Sequence, residues 1–106
     1  MNALTSELLR EAVGYADGWW FCQDGRLTNG HITWKRIEDE PLKPYAIAAL
    51  ASQLISQVDA TDKYDVVTFQ IATRIFCEGQ FMLERAGNNR DENSIIACVE
   101  FFRGQR

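Results

Sequence analysis

Two kinds of apolar periodicity alternate along this chain, and together they constrain its fold more than any other feature. Apolar residues recur at helical spacing in three segments, near the start, in the middle and at the end. The two segments between them follow the two-residue period of β-strands. Since the first period places side chains on one face of a helix and the second on one face of a sheet, the chain predicts alternating helices and strands.

The first helical segment lies near the N-terminus. Its apolar face consists of Leu4, Leu8, Leu9, Ala12, Val13 and Ala16. Thr5 or Ser6 can cap the start of this helix, because a hydroxyl oxygen there accepts a hydrogen bond from an unpaired amide of the first turn. Gly18 can end the helix, since glycine readily takes the left-handed conformation that follows many helices.

The second and third helical segments lie in the middle and at the end of the chain. The apolar stripe of the second consists of Ile47, Leu50, Ala51, Leu54, Ile55 and Val58. Its opposite face carries the uncharged polar side chains of Ser52, Gln53, Ser56 and Gln57. The stripe of the third consists of Ile95, Ile96, Val99 and Phe102, flanked by Cys98. Asp91 or Asn93 can cap the third helix, and Gly104 can end it.

Residues 19–37 predict a first β-hairpin. Residues 19–22 form a short aromatic run, and residues 31–37 alternate between apolar and polar side chains. Two dipeptides between them, Asp24-Gly25 and Asn29-Gly30, favour the positive φ angles of tight turns. Either dipeptide can join the strands, and the sequence leaves the choice between them open.

Residues 64–86 predict a second hairpin. Alternation from Tyr64 to Cys77 indicates one half-buried strand. The buried face of this strand is predicted to consist of Val67, Phe69, Ile71, Ile75 and Cys77. Glu78-Gly79 offers a turn, after which residues 80–86 return as the antiparallel partner. A helix over residues 74–86 stays open as an alternative, because residues 82–86 are good helix formers.

The predicted order of elements is α-β-β-α-β-β-α. Antiparallel β-hairpins packed with three helices make an α+β fold. The length of 106 residues fits a single domain spanning residues 1–106. A domain of this size buries only about two thirds of its unfolded surface, so an oligomeric partner would add useful stability.

The charge of the chain argues against a nucleic-acid partner, and its hydropathy argues against a membrane. Eleven Lys and Arg residues stand against fifteen Asp and Glu, giving a formal net charge of −4. The basic residues are dispersed, so the chain lacks the cationic footprint on which nucleic-acid affinity depends. No segment approaches the roughly 20 apolar residues of a membrane span. The amphipathic N-terminal segment lacks the apolar run of a signal peptide, so we expect a cytoplasmic protein.

The residues that could carry catalysis or bind metal are few. Cys22, Cys77 and Cys98 form no metal-binding spacing, and we expect them to be reduced thiols in the cytoplasm. The single histidine, His31, cannot complete a zinc site with them. Since no glycine-rich phosphate loop occurs either, we expect no metal, no cofactor and no catalytic site. The enzymatic alternative is a small enzyme in which His31 activates Cys22 across the first hairpin.

The aromatic residues of the first hairpin are the candidates for a binding surface. By strand alternation Trp19 and Phe21 point into the core beside Trp34 and leave Trp20 half exposed. The alternative is a protein-binding patch centred on Trp20, because Trp and Tyr are enriched at interface hot spots. The predicted protein-binding residues are Trp20, His31, Trp34 and Tyr45. The partner would be another protein or a second copy of the chain.

Five segments, spread from the first helix to the last, carry a family resemblance. They are ELLREAVGYADGWW, PYAIAALASQLISQV, VVTFQIA, EGQFMLE and NSIIACVEFFRG. They resemble small phage and prophage proteins of the phage ABA-sandwich type. The resemblance lies in the order of the elements, in the Gly-Trp that ends the first helix and in the segment IIACVEF of the last helix. The loop from Cys22 to His31 departs from that pattern, as does the lack of a tryptophan in the third strand.

The resemblance implies an antiparallel sheet between helices, a phage or bacterial genome as the source, and an accessory role. Together with the absence of a catalytic motif, it leads us to expect a non-catalytic protein-binding module. A structural or morphogenesis component is the alternative that the resemblance leaves open.

Overall fold

The computed structural model describes residues 4–105, in which helices alternate with groups of three strands. The helices are α1 (Ser6–Tyr15), α2 (Pro44–Asp59) and α3 (Arg90–Gly104). The first sheet consists of β1 (Trp20–Phe21), β2 (Arg26–Thr28) and β3 (Thr33–Arg36). The second consists of β4 (Tyr64–Thr68), β5 (Ala72–Cys77) and β6 (Gln80–Ala86). Both sheets are antiparallel and follow chain order, so the predicted α+β class is confirmed, with one more strand in each sheet.

The first sheet has three strands because both glycine dipeptides make turns. Gly25, between β1 and β2, has a φ of 90°, and Gly30, between β2 and β3, has a φ of 87°. Each reversal thus uses a conformation that glycine reaches without steric cost. The choice that the sequence left open is resolved in favour of both turns.

The second sheet corrects the prediction of one long strand from Tyr64 to Cys77. The chain reverses at residues 69–71, where the Phe69 amide donates a hydrogen bond to the Ala72 carbonyl at 2.7 Å. The predicted strand is therefore two strands, β4 and β5, paired with each other. The alternation continues through the reversal without a Gly, Pro, Asn or Asp, so the usual turn signal is missing there.

The hairpin over residues 74–86 is confirmed against its helical alternative. β5 and β6 pair in antiparallel register, and Glu78 and Gly79 form the turn with φ angles of 51° and 82°. Such a pair of positive φ angles is typical of the two-residue turns whose twist matches that of the strands. A β-bulge lies between Ile75 and Phe76, where the register with β6 shifts by one residue.

α1 and α3 begin at capping side chains, whereas α2 begins at Pro44 without one. Thr5 caps α1 as predicted, accepting a hydrogen bond from the Leu8 amide at 3.1 Å. The predicted cap of α3 was wrong, because Asn89 takes that place and accepts from the Glu92 amide at 3.0 Å. Asn93 is buried and instead donates to the Gly87 carbonyl at 3.0 Å.

α3 lies at the centre of the packing. It contacts α1 and α2 as well as β5 and β6, so its buried residues surround the helix and are not confined to one stripe. They are Asn93, Ser94, Ile95, Ala97, Cys98, Val99 and Phe101. Ile96 and Phe102, which the sequence placed on the buried stripe, are only half-buried. Between residues 4 and 105, no helix combines the length and the apolar character needed to cross a membrane.

Candidate protein-binding surfaces

Trp34 lies in the core and contacts Tyr45, which is exposed. Trp34 is 7% exposed and stacks on Trp19, with ring centroids 5.2 Å apart and an angle of 9° between the rings. The stack confirms the expected core arrangement of these two residues. The Trp34 Nε1 donates a hydrogen bond to the Tyr45 hydroxyl at 3.0 Å. Tyr45, at the start of α2, is 58% exposed. Among the rings of Trp19, Trp34 and Tyr45, it is therefore the one that a partner could contact.

Trp20 points to the opposite face of the first sheet. Trp20 pairs with Thr28, whereas Leu27 on the same strand pairs with Trp34. Because residues directly opposite each other share a face and successive residues alternate, Trp20 and Trp34 lie on different sides. The Trp20 ring is 51% exposed and covers Gly30, where an added Cβ would lie 3.6 Å from the ring. The sheet therefore separates Trp20 from the surface of Tyr45.

His31 lies at the exposed turn between β2 and β3. It borders an open groove of about 440 Å³ whose other wall is the polar face of α2, with Ser52, Gln53 and Ser56. The His31 amide donates a hydrogen bond to the Asn29 side chain at 3.0 Å, which fixes the turn. Of the four predicted binding residues, Trp34 and Tyr45 are thus in contact, whereas Trp20 lies on the opposite face of the first sheet and His31 at its β2–β3 turn; their role in binding stays a prediction.

The cysteines differ in their surroundings. Cys98 is buried in α3, and burial, with the nearby charge of Asp59 second, raises the pKa of its thiol to about 12. Cys22 and Cys77 are half-buried free thiols. No hydrogen bond in the described chain, residues 4–105, joins the Cys22 thiol to His31, the pair on which the enzymatic alternative depends.

In the acidic segment after β3, Glu40 is neutralised by two neighbouring lysines. Glu40 lies 2.8 Å from the Lys43 ammonium and 3.3 Å from that of Lys35. Hydrogen bonds from Lys43 and then Lys35 hold the pKa of Glu40 below its ordinary value. Across residues 4–105 no cluster of three or more His, Cys, Asp or Glu side chains could hold a metal ion.

The largest group of exposed apolar residues lies on the second sheet. Its members are Val67, Phe69, Ile71, Phe81 and Met82. Ile71 is 66% exposed and Phe81 is 62% exposed. The prediction that Val67, Phe69 and Ile71 are buried was wrong, because it assumed one continuous strand. The reversal at 69–71 places Val66 opposite the buried Ile75 and Val67 opposite the exposed Arg74.

We call this surface the outer face of the second sheet. It consists of Val67, Phe69, Arg74, Phe76, Phe81 and Glu84, with Asp65 at the β4 edge and with Ile71 and Met82 at its border. The Arg74 Nε and the Glu84 Oε1 are 2.5 Å apart. The Phe69 ring centroid lies 5.3 Å from the Arg74 guanidinium carbon, and Phe76 meets Phe81 edge to face at 6.2 Å. The outer face is therefore a group of aromatic rings around one ion pair.

The inner face of the same sheet explains why the outer face remains uncovered. Ile75 is buried, and the Thr73 hydroxyl is 3.0 Å from the Ser94 hydroxyl of α3 in a buried hydrogen bond. Since the helices cover only that side, nothing in residues 4–105 packs over Phe81 or Ile71.

Comparison with protein-family models, with curated proteins and with solved structures finds no match for this chain.

Proposed function

We propose that this chain is a non-catalytic protein-binding module that acts through the outer face of the second sheet. The exposure of five large apolar side chains on one sheet supports this most directly. Together they present on the order of 500 Å² of apolar area, at the upper end of what monomeric proteins expose. Patches of that size are often functional, because uncovered apolar area favours association.

The composition of the outer face favours a protein partner. Phe81 and Phe69 supply rigid aromatic area, the kind of side chain that contributes most to interface energies. Arg74 and Glu84 neutralise each other, so covering them leaves no single charge without a partner. The centre of the face can thus be buried at a small electrostatic cost, with Asp65 outside it at the β4 edge.

The cellular setting is part of the same proposal. The likeness to small phage and prophage proteins supports an accessory role in a phage or prophage. The three free thiols support a cytoplasmic location, because disulfides are rare in that compartment.

The test is affinity capture from a lysate of bacteria that express the untagged chain, with three immobilised forms, the wild type, Phe81→Glu and Ile32→Glu. Ile32 is 45% exposed in the turn between β2 and β3, so Ile32→Glu makes the same charge change on an exposed apolar residue elsewhere. We expect the wild type and Ile32→Glu to recover the same protein, and Phe81→Glu to lose it. Binding of that protein, once purified, should weaken at least about thirty-fold in Phe81→Glu, as for a hot-spot residue.

The non-catalytic part of the proposal has its own test. A Cys22→Ala/His31→Ala double variant should bind the recovered protein as the wild type does. Equal recovery by wild type and Phe81→Glu would refute the assignment of the outer face. Loss of binding in a folded double variant would instead move the function to Cys22 and His31.

A further inference from the structure

We infer that the occupant of the outer face is a second copy of this chain. The inference rests on the proposed function, since it names the partner of the same surface. Two observations support it: the arrangement of charge on the outer face and the area that the face offers.

The charges on the outer face are complementary to themselves. Arg74 and Glu84 lie side by side on neighbouring strands in directly opposed positions. A rotation of 180° about an axis that lies in the interface, parallel to the strands and above the midpoint between these two side chains, places each arginine opposite the glutamate of the other copy. A two-fold interface requires a patch that matches itself in this way. A strongly acidic or basic partner would instead bring a like charge against one member of the pair.

The aromatic residues satisfy the same symmetry. Phe69 lies on one side of Arg74 along the sheet, next to Ala72, and the Phe76–Phe81 pair lies on the other. The rotation leaves positions along the strands unchanged, so the Phe76–Phe81 pair of one copy meets the same pair of the other, with each Phe76 opposite a Phe81. Sheets that pack face to face are separated by about 10 Å, which leaves room for such rings to interdigitate.

The area of the outer face suits a dimer of moderate affinity. A stable protein interface buries about 800 Å² on each partner. The exposed apolar side chains supply on the order of 500 Å² of this, and the ion pair and strand edges around them supply polar area for the rest. A sheet-to-sheet dimer also adds core to a chain that is small for a single domain.

Sedimentation velocity over a range of concentrations tests the inference on the purified chain. We expect the wild type to pass from monomer to dimer in the micromolar range. Phe81→Glu should weaken the dimer at least about thirty-fold, as a central aromatic anchor would. The matched control, Ile32→Glu in the β2–β3 turn, should keep the dissociation constant of the wild type.

A charge exchange tests the two-fold geometry itself. Arg74→Glu gives a face with two negative side chains, and Glu84→Arg gives one with two positive side chains. Each variant alone should be monomeric where the wild type is dimeric, because like charges then face each other. An equimolar mixture should form a heterodimer whose dissociation constant lies within about tenfold of that of the wild type. Far-UV circular dichroism of each variant confirms that the fold is intact.

Three outcomes would overturn the inference: a wild type that stays monomeric up to millimolar concentration, a dimer that Phe81→Glu leaves unchanged, or a mixture that fails to associate. A monomeric wild type that still captures another protein through Phe81 would overturn the inference that the partner is a second copy, and would leave the proposed function in place. A dimer whose dissociation constant does not depend on Phe81, together with no Phe81-dependent capture of another protein, would refute both the inference and the proposed function.

Discussion

At the scale of single residues, Cys98 shows how burial changes the chemistry of a side chain. Burial raises its thiol pKa from 9.0 to about 12, so the folded chain retains a proton that the unfolded chain releases. The stabilisation is complete below pH 9 and is lost as the pH rises toward 12. We expect the free energy of unfolding of the wild type to fall more steeply over this range than that of Cys98→Ala, measured by urea denaturation.

The comparison with Cys98→Ala isolates this one group. The two proteins differ in no other titratable group, so the contributions of all the others cancel in the difference. Parallel curves for the two proteins would contradict a thiol pKa raised by burial. A loss of stability in Cys98→Ala that is the same at every pH does not affect the test, since only the slopes are compared.

At the scale of elements, the start of α3 depends on Asn89. Its side-chain oxygen accepts the Glu92 amide at 3.0 Å. Asn89→Ala should lower the free energy of unfolding by about 1 kcal/mol, the usual value of an N-cap. Asn88→Ala is the matched control, because this exposed neighbour makes no side-chain hydrogen bond within residues 4–105, and it should change stability by less than about 0.5 kcal/mol. Equal losses in the two variants would show that the cap is not the cause.

Two glycines should respond oppositely to the same substitution. A Cβ added at Gly14 in α1 or at Gly79 in the β5–β6 turn meets nothing within 4 Å, so backbone conformation decides the effect. Gly14→Ala should raise the free energy of unfolding by about 0.5–1 kcal/mol, because alanine favours a helix. Gly79→Ala should lower it by about 1 kcal/mol, because φ is 82° there. Urea midpoints that shift in the same direction would contradict this argument.

The elements that could be predicted from the sequence are those with a local signal. Thr5 gives a cap for α1, and Gly79 gives a turn between β5 and β6, and both elements were predicted with their ends nearly in place. The reversal at 69–71 has no such signal, so β4 and β5 were taken as one strand. Four Asn and Asp side chains lie close together before and within the first turn of α3, so the sequence could not select Asn89 among them.

The candidate surface was missed for a related reason. Alternation indicates which residues share a face, but it does not indicate which face the helices cover. For the first sheet the prediction was adequate, since Trp20 is half exposed and Trp34 is buried. For the second sheet, the reversal at 69–71 was not predicted, and Val67 and Phe69 were therefore wrongly predicted to be buried. The exposed outer face became visible only with the register of β4 against β5.

At the scale of the whole molecule, aromatic contacts join elements that are distant in sequence. Tyr15 of α1 stacks on Phe102 of α3 at 5.2 Å, and Tyr64 of β4 meets Phe101 of α3 at 4.7 Å. Trp34 of the first sheet connects to α2 through Tyr45. One cluster of buried residues includes members of both sheets and of all three helices. If residues 1–106 form a single domain, as predicted, this shared core should make the whole chain unfold in one cooperative transition.

We expect the first sheet to unfold together with the helices. All three tryptophans lie in or next to the first sheet, so their fluorescence reports on that sheet, whereas far-UV circular dichroism reports mainly on the helices. A first sheet whose strands are two to four residues long cannot be stable alone, and the shared core should hold it until the helices unfold. The two signals should therefore give the same urea midpoint. Fluorescence that changes at lower urea would show that the first sheet detaches first, and that the chain consists of two units which unfold separately.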